Sequence, residues 1–246
     1  MTQENIDYDN LKKRGFLRQK QEGFFILRAK MPHAVFKNEQ IEKLSEIAKA
    51  YGGGFVHTTT RQGIEVPFIK YGDIEKVESE LMKSGIETGT SGPRMRTTTC
   101  CPGNNWCKSG LIDTFALYGK IENDLGIKCG MDLPHKFKIA ISGCPNGCSR
   151  PQQSEIGVHG FMQAGEAGYV VYLGGCGGRT PRPGFKLDGV FKDKEVLNII
   201  SAVVKFYREN AKPRQRLALL IEETGKEEFL RSVLGNLSGD GGERRV

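Results

Sequence analysis

The sequence contains no uninterrupted apolar stretch of the roughly 18 residues that a membrane-spanning helix needs. Its first residues, MTQENIDYDN, also lack the basic start and the following apolar run of a secretory signal. These absences predict a soluble, cytoplasmic protein without a membrane partner.

Histidine is scarce, and the common nucleotide-binding motifs are missing. The four histidines, His33, His57, His135 and His159, share no metal-ligand spacing. The chain has neither a G-x-G-x-x-G fingerprint nor a flavin signature, so electrons for redox chemistry would come from a separate protein. Helix-turn-helix, zinc-finger and RRM patterns are missing as well, which argues against nucleic acid as a partner.

Charge is not balanced in this chain. Lys and Arg number 36 against 29 Asp and Glu, which gives a formal net charge of +7. The excess predicts an anionic ligand or substrate. The basic residues concentrate around the cysteine-rich segments: Arg94, Arg96, Lys136, Lys138, Arg150, Arg179 and Arg182.

Cysteine is the informative residue type. There are 7 cysteines, an odd number, and nothing marks the chain for an oxidising compartment. Four of them form two short-spaced pairs in Gly- and Pro-rich turns, Cys101 with Cys107 and Cys144 with Cys148. Structural zinc usually takes pairs separated by two to four residues, and the gap in the first pair is wider. A 4Fe-4S cluster on four thiolates therefore fits better than zinc, disulfides or buried thiols.

The first third of the chain has the pattern of a small α+β unit. Apolar periodicity and glycine punctuation predict strands at residues 24–30, 55–60 and 64–68, helices that begin at Asn38 and Asp73, and a last strand near Ile86. The β-α-β-β-α order is typical of a ferredoxin-like split βαβ unit. We assign residues 23–92 to this ferredoxin-like half-domain and the polar residues 1–22 to an N-terminal arm.

The remainder predicts a second, α/β domain at residues 93–237, followed by a disordered tail at 238–246. The fold class is thus α+β, with a ferredoxin-like half-domain followed by a cofactor-binding α/β domain. A predicted helix over 106–125 would place Cys107 in its first turn, where the helix dipole favours a thiolate. The other predicted elements are strands at 136–142, 155–159 and 169–173, a helix from Asp193, and a helical stretch over 217–234 that breaks near Gly225.

Several motifs, taken together, resemble those of the siroheme-containing sulfite and nitrite reductase family. They are Arg28 in FILRAKMP, TTRQ at residues 59–62, Cys101-x5-Cys107, LPHKFKI and SGCPNGCS. The resemblance covers roughly residues 20–235. It extends in particular to the small, single-half sulfite reductases of the assimilatory type.

The resemblance implies two cofactors, a siroheme and a 4Fe-4S cluster, with one cysteine bridging the cluster and the siroheme iron. By motif that bridging residue is Cys148. The other cluster ligands are then Cys101, Cys107 and Cys144, with Cys100 as an alternative of poorer spacing. Cys129 and Cys176 are expected to be bystanders, with contact between a cofactor and Cys176, in its Gly-rich loop, as the open alternative.

The resemblance also implies a substrate pocket of two Arg and two Lys over the siroheme iron. By motif these residues are Arg61, Arg96, Lys136 and Lys138. Arginine gives fixed charge and forked hydrogen bonds to an oxyanion, whereas a crowded lysine also donates protons. Contacts to the carboxylates of siroheme are expected from Arg28, Asn146, Arg150, Arg179 and Arg182.

The function so implied is the six-electron reduction of sulfite to sulfide. Reduction of nitrite to ammonia is the first alternative, because it uses the same apparatus. A non-catalytic siroheme and 4Fe-4S electron-transfer subunit is the second, and a basic zinc or nucleic-acid module is the third. The basic surface favours an acidic electron donor such as a ferredoxin.

Only one copy of the repeated half found in larger family members is present. The resemblance therefore leaves two arrangements open. Either a small enzyme leaves the siroheme edge exposed, or a second chain completes the pocket in a homo-oligomer.

Overall fold

The structure is a computed structural model that describes residues 6–235. Two sheets, each with its own helices and its own buried core, make up these residues. No helix in this range combines the length and the apolar character needed to cross a membrane.

The small sheet unit carries the ferredoxin-like pattern. Its elements are α1 (Tyr8–Lys13), β1 (Phe16–Arg18), β2 (Phe24–Ala29), α2 (Asn38–Tyr51), β3 (His57–Thr58), β4 (Ile64–Lys70) and α3 (Ile74–Lys83). The strands pair antiparallel in the order β1-β2-β4-β3. Leu44 and Ile47 of α2 and Val77 and Leu81 of α3 are buried in its core, as the 3.6-residue period predicts. The predicted β-α-β-β-α order is confirmed.

Three expectations for this unit need correction. The polar segment assigned to an arm contains α1 and β1, because Leu11 and Phe16 are buried in the core. The strand expected near Ile86 is reduced to one isolated bridge, between Ala29 and Thr88. The alternation in β4 breaks at Phe68, where φ is 67°, so that Ile69 takes the buried position.

The large sheet unit contains the cysteine segments. Its elements are β5 (Thr99–Cys100), α4 (Thr114–Gly119), β6 (Ile139–Ser142), β7 (Ile156–Gln163), β8 (Glu166–Leu173), β9 (Phe185–Lys186), α5 (Asp193–Asn210), α6 (Leu217–Thr224) and α7 (Lys226–Leu234). The strand order is β5-β6-β7-β8-β9, with β5, β6 and β7 parallel and the later pairs antiparallel. Because β5 and β6 are parallel neighbours, the segments that follow them leave the same edge of the sheet. These segments carry Cys101 and Cys144.

The helices of this unit agree with the sequence in two cases and differ in one. The helix from Asp193 is present, and the break between α6 and α7 falls at Gly225, where φ is 88°. The predicted helix over 106–125 is wrong for its first half. The Asp113 carboxylate accepts the backbone N–H groups of Phe115 and Ala116, so it caps α4 and starts the helix there. Cys107 therefore lies in a loop and not in a first helical turn.

The predicted disordered tail at 238–246 lies outside the described residues. The predicted domain bounds stay predictions.

Candidate cofactor and anion site

A cavity of about 250 Å³ opens between the two sheet units. We call it the basic cavity, because cationic side chains from both units line it. They are Arg28, Arg61, Arg96, Lys136 and Lys138. All four residues predicted for the substrate pocket are thus brought together at one place.

A second cavity, of about 260 Å³, adjoins the first. It reaches the loop after β6 and is lined there by Cys148, Ser149 and Arg150, so we call it the cysteine cavity. Thr60, Arg61, Gln62 and Lys138 line both cavities. The two cavities are therefore parts of one cleft that runs from the cationic residues to the C-x3-C loop.

Two of the cationic side chains of the basic cavity, Arg61 and Arg96, are held by neutral groups. Arg61 donates to the Thr97 carbonyl at 3.1 Å, and Arg96 donates to the carbonyls of Thr90 and Gly92. Burial, and then the nearby Arg28, lowers the pKa of Arg96 to about 10. Burial also lowers the pKa of Arg61. Cations that are buried without a carboxylate of their own create a site for an anion.

Lys138 differs from the arginines because its proton is available near neutral pH. Burial, followed by repulsion from Arg61, lowers the pKa of Lys138 to about 8. Its backbone N–H donates to the Glu155 carboxylate at 2.9 Å. A lysine with such a pKa is suited to donate protons as well as to attract an anion.

The turn that presents Arg61 is fastened to the large sheet unit by its neighbour Gln62. The Gln62 amide donates to the Cys100 carbonyl at 2.8 Å and accepts from the Cys100 N–H at 3.0 Å. Within the turn, the Thr59 hydroxyl accepts from Gly63 N–H at 3.0 Å. Gln62 thus acts as a strand partner for the edge of β5, one residue before Cys101.

The two cysteine loops pack against each other through glycine backbones. A Cβ placed on Gly143 would lie 2.5 Å from Gly103 Cα, and one on Gly110 would lie 2.3 Å from the Gly103 oxygen. The Leu111 N–H donates to the Gly143 carbonyl at 2.8 Å. The Gly143 N–H donates to the Cys101 sulfur at 3.0 Å. Close packing of three glycines therefore joins the C-x5-C loop to the C-x3-C loop.

The cysteines differ in exposure. Cys144 is buried, Cys101 is half-buried, and Cys107 and Cys148 are exposed. Every cysteine is free, so the disulfide alternative finds no support. Burial raises the pKa of Cys100 to about 12, which disfavours the thiolate that a metal needs.

The donor set fits an iron-sulfur cluster beside an anionic cofactor. Within residues 6–235, no three His, Cys, Asp or Glu side chains stand close enough to hold a single metal ion. A 4Fe-4S cube is wider than one ion and takes four thiolates, and the two joined cysteine loops carry four cysteines. The Ser149 hydroxyl, next to Cys148, is buried without a hydrogen-bond partner, which marks a place for a further polar group. The uncompensated cations of the cleft suit a carboxylate-rich ring.

The expected peripheral contacts divide into two groups. Arg28 and Arg150 line the cleft, although Arg28 also pairs with Glu65 at 2.7 Å. Arg182 forms an ion pair with Glu222 at 3.2 Å. Asn146 and Arg179 line neither cavity. Cys129 accepts from the Thr97 hydroxyl at 3.4 Å, and Cys176 is buried, with its thiol 3.7 Å from the Thr180 carbonyl.

Sequence reasoning missed three residues that organise the cleft. Gln62 stands within the TTRQ motif, but its pairing with Cys100 has no sequence signal. Glu155 and Arg216 form a buried ion pair beside Lys138, and they are 61 positions apart in the chain. Only the tertiary structure brings these two together.

Two family models match the chain. Residues 91–239 match the nitrite and sulphite reductase 4Fe-4S domain, and residues 17–84 match the nitrite/sulfite reductase ferredoxin-like half domain. The chain belongs to the nitrite and sulfite reductase family. Membership confirms the predicted fold class and the predicted cofactors, a 4Fe-4S cluster and a siroheme.

Individual relatives include both kinds of reductase. The coenzyme F420-dependent sulfite reductase of Methanocaldococcus jannaschii is 32% identical over 85% of this chain and 42% of its own length. The NAD(P)H nitrite reductase of Bacillus subtilis is 30% identical over 83% of this chain and 24% of its own length. The chain therefore spans less than half of these two relatives. An assimilatory-type sulfite reductase of Nitratidesulfovibrio vulgaris is 26% identical, with 90% of this chain and 98% of the relative covered.

Solved structures share the fold at low sequence identity. The Mycobacterium tuberculosis NirA protein matches with a TM-score of 0.81 and 18% identity, over 94% of this chain and 47% of that one. Dissimilatory sulfite reductase I matches with a TM-score of 0.79 and 17% identity, over 91% and 72% of the two chains. Both matches place the two sheet units of this chain in a known arrangement.

Proposed function

We propose that this family member catalyses the six-electron reduction of sulfite to sulfide. The observation that carries the proposal is the continuous cleft that joins the basic cavity to the C-x3-C loop. A small dianion bound at one end of this cleft is within reach of a redox centre held at the other end. Few other functions need buried cations and free thiols side by side.

The cluster is proposed to be held by Cys101, Cys107, Cys144 and Cys148, with Cys148 as the bridge to the siroheme iron. The position of Cys148 in the lining of the cleft supports its assignment as the bridging residue. Cys101 is supported by the hydrogen bond that its sulfur accepts from Gly143, a contact of the kind that tunes cluster potential. When bound, the cluster and the siroheme would pass electrons from the external donor to the iron at which sulfite is reduced.

The protein residues bind the substrate and manage its protons. Arg61 and Arg96 hold fixed charge, since neighbouring carbonyls position their guanidinium groups. Lys138 is proposed to donate protons, because its lowered pKa of about 8 leaves the amine able to give up a proton near neutral pH. Lys136 adds a further cation on the same wall.

The siroheme is proposed to lie in the cleft, where Arg28 of the basic cavity and Arg150 of the cysteine cavity would bind its carboxylates. Both arginines line the cleft. Asn146, Arg179 and Arg182 would contact the carboxylates only from outside the two cavities, so we rank them below the first two.

Reduction of nitrite to ammonia is the alternative, because relatives of both kinds match the chain. A direct comparison of kcat/KM for sulfite and nitrite decides between the two anions. A higher kcat/KM for nitrite would overturn the sulfite assignment.

The electron donor is proposed to be an external acidic protein. Relatives are described as coenzyme F420-dependent and as ferredoxin-dependent, so the donor differs within the family. The net charge of +7 favours a ferredoxin-like partner. Electron transfer from a ferredoxin should then slow as salt is added, and a rate that does not depend on salt argues against this partner.

A homo-oligomer that completes the siroheme pocket is a further proposal, and it is checked by the mass of the holoprotein in solution.

The first test is the visible absorption spectrum of protein purified without oxygen, recorded before and after sulfite is added to the reduced form. Siroheme bands that shift with the anion, together with sulfide production, support the proposal. Bands that shift without sulfide production, unless a partner chain is added, would favour the non-catalytic subunit instead. A colourless, zinc-containing protein would overturn both readings.

A further inference from the structure

Glu155 is a fully buried carboxylate directly behind the basic cavity. Its residue is 0% exposed, at the start of the segment that becomes β7. One carboxylate oxygen accepts the backbone N–H of Lys138 at 2.9 Å. Its neighbour Ser154 lines the cysteine cavity. Glu155 therefore lies at the junction of the two parts of the cleft without lining either cavity itself.

Arg216, the residue that precedes α6, supplies the partner for this carboxylate. Its Nε donates to the second Glu155 oxygen at 2.7 Å, and one terminal nitrogen donates to the same oxygen. The side chains of Arg216 and Glu155 are 12% and 1% exposed. Arg216 also approaches the Gly177 carbonyl, at 3.5 Å, and Gly177 lines the cysteine cavity.

Burial makes the ion pair of Glu155 and Arg216 a weak source of stability. Burying a carboxylate is costly unless it is paired and hydrogen-bonded, and a pair of apolar residues of similar size would serve stability equally well. Burial raises the pKa of Glu155, whereas Arg216 and Lys138 oppose that rise. The carboxylate is thus held between a permanent cation and the lysine of the cleft.

We propose that Glu155 and Arg216 form a positioning pair for Lys138: Arg216 holds the Glu155 carboxylate in place, and that carboxylate fixes the Lys138 backbone at the wall of the basic cavity and offsets part of the positive charge around its amine. This inference rests on the proposed function, in which Lys138 donates protons to the bound oxyanion. Neither residue of the pair contacts the cavity that holds the substrate, so both act through Lys138.

The charges around Lys138 define what the pair does. Arg61, Arg216 and Lys136 each lower the pKa of Lys138, after burial itself, and Glu155 is the carboxylate that raises it. Without Glu155 the amine would face three cations and no anion from this set. The pKa of the Lys138 amine would then be lower, and its proton would be lost at lower pH.

The test measures the proton affinity of Lys138 directly, in the holoprotein. The rate at which a small acylating reagent modifies the Lys138 amine is followed against pH by peptide mass spectrometry. In the parent protein the rate should rise with a midpoint near pH 8, the pKa of about 8 that burial gives this residue. In Glu155→Gln, which keeps the shape and removes the charge, the midpoint should fall by about 1 pH unit or more.

A double variant keeps the inference falsifiable if the single change disturbs folding. Glu155→Gln combined with Arg216→Gln removes both charges of the pair, and neutral replacements of buried ion pairs are often tolerated. Its Lys138 midpoint should return toward the parent value, because the unpaired guanidinium has gone as well. If the pair were purely structural, the Lys138 midpoint of the double variant would lie no closer to the parent value than that of Glu155→Gln.

Two further variants complete the design. Glu78→Gln removes the carboxylate of the Arg14–Glu78 pair, a part-buried ion pair in the small sheet unit, and should leave the Lys138 midpoint unchanged. Lys138→Arg keeps the charge but cannot release a proton in this range, so kcat for sulfite should fall sharply in it.

The outcomes separate this inference from the proposed function. A Lys138 midpoint that does not move in Glu155→Gln overturns the positioning pair. A midpoint that moves as expected, with an activity profile that does not follow, supports the positioning pair and overturns the proton-donor role of Lys138.

Discussion

Two adjacent cysteines show how the surroundings of a residue decide its chemistry. Cys100 and Cys101 differ by one position, but Cys100 is the last residue of β5 and is buried, whereas Cys101 begins the loop and is half-buried. Burial raises the pKa of Cys100 to about 12, and the sulfur of Cys101 accepts a backbone N–H. The pattern of the sequence left both residues open as ligands. The structure favours Cys101.

Serine substitutions at these two positions make a matched pair. Cys101→Ser should remove most of the iron and the cluster absorption, because a hydroxyl is a far weaker ligand than a thiolate. Cys100→Ser should keep the full iron content, with at most a modest loss of stability. Iron analysis and the visible spectrum of protein purified without oxygen check both variants. Equal iron loss in the two would contradict the assignment.

The role proposed for Arg61 needs forked hydrogen bonding and not only charge. Arg61→Lys keeps the charge and loses the planar fork, so contacts to the oxyanion should be lost. Hydrogen bonds to charged groups contribute about 1.5–3 kcal/mol, which predicts a fall in kcat/KM for sulfite of about 10- to 100-fold. Steady-state kinetics measure it. Arg231→Lys, in an exposed pair with Glu228, is the control and should leave kcat/KM as it is.

At the scale of elements, the sequence predicts best where periodicity alone sets the structure. Helix α5 begins at Asp193 as expected, since Val196, Ile199, Ile200 and Val203 form one buried face. The prediction of a helix over 106–125 is wrong for residues 106–113. Apolar residues continue at helical spacing there, but other hydrogen bonds of this segment compete with those of a helix. The Asp113 carboxylate caps the helix that begins at Thr114, and the Leu111 N–H donates to the Gly143 carbonyl. The backbone before α4 therefore hydrogen-bonds outside any helix.

The contact between the two cysteine loops gives a prediction at this scale. A Cβ on Gly143 would lie 2.5 Å from Gly103 Cα, and backbone cannot rotate away as a side chain can. Gly143→Ala should therefore cost about 1–3 kcal/mol in the free energy of unfolding and lower the iron content. Thermal or denaturant unfolding and iron analysis measure the two effects. Gly72→Ala, where a Cβ meets nothing within 4 Å, is the control, and an equal response in both variants would refute the argument.

At the scale of the whole molecule, the motifs predicted which residues share the cleft but not how the units are joined. Arg61, Arg96, Lys136 and Lys138 line one cavity as the resemblance implied. The contacts that align the two units have no local pattern. Gln62 pairs with Cys100 across 38 positions, and Lys30 pairs with Glu122 across 92. Such long-range partners depend on the completed fold.

Lys30 and Glu122 form the most buried ion pair between the two units, among the pairs of residues 6–235. Lys30, which follows β2, is 3.0 Å from the Glu122 carboxylate, and their side chains are 6% and 11% exposed. Glu122 lies in the π-helical turn Lys120–Asp124 and also accepts from the Tyr118 hydroxyl at 2.8 Å. A second carboxylate, Glu87, reaches Lys30 at 2.9 Å. The amine therefore holds carboxylates from both units.

Removing this amine should loosen the alignment of the units. Lys30→Met leaves Glu122 buried without its cation, which should lower the free energy of unfolding by about 3 kcal/mol or more. Lys30→Met combined with Glu122→Gln removes the uncompensated charge and should recover much of that loss. Lys43→Met, at the more exposed pair with Glu80 inside the small sheet unit, should change stability little.

Because residues of both units line the basic cavity, the KM for sulfite should rise in Lys30→Met and fall back in the double variant. An unchanged KM in a destabilised Lys30→Met protein would mean that the pair stabilises the fold without setting the geometry of the cleft.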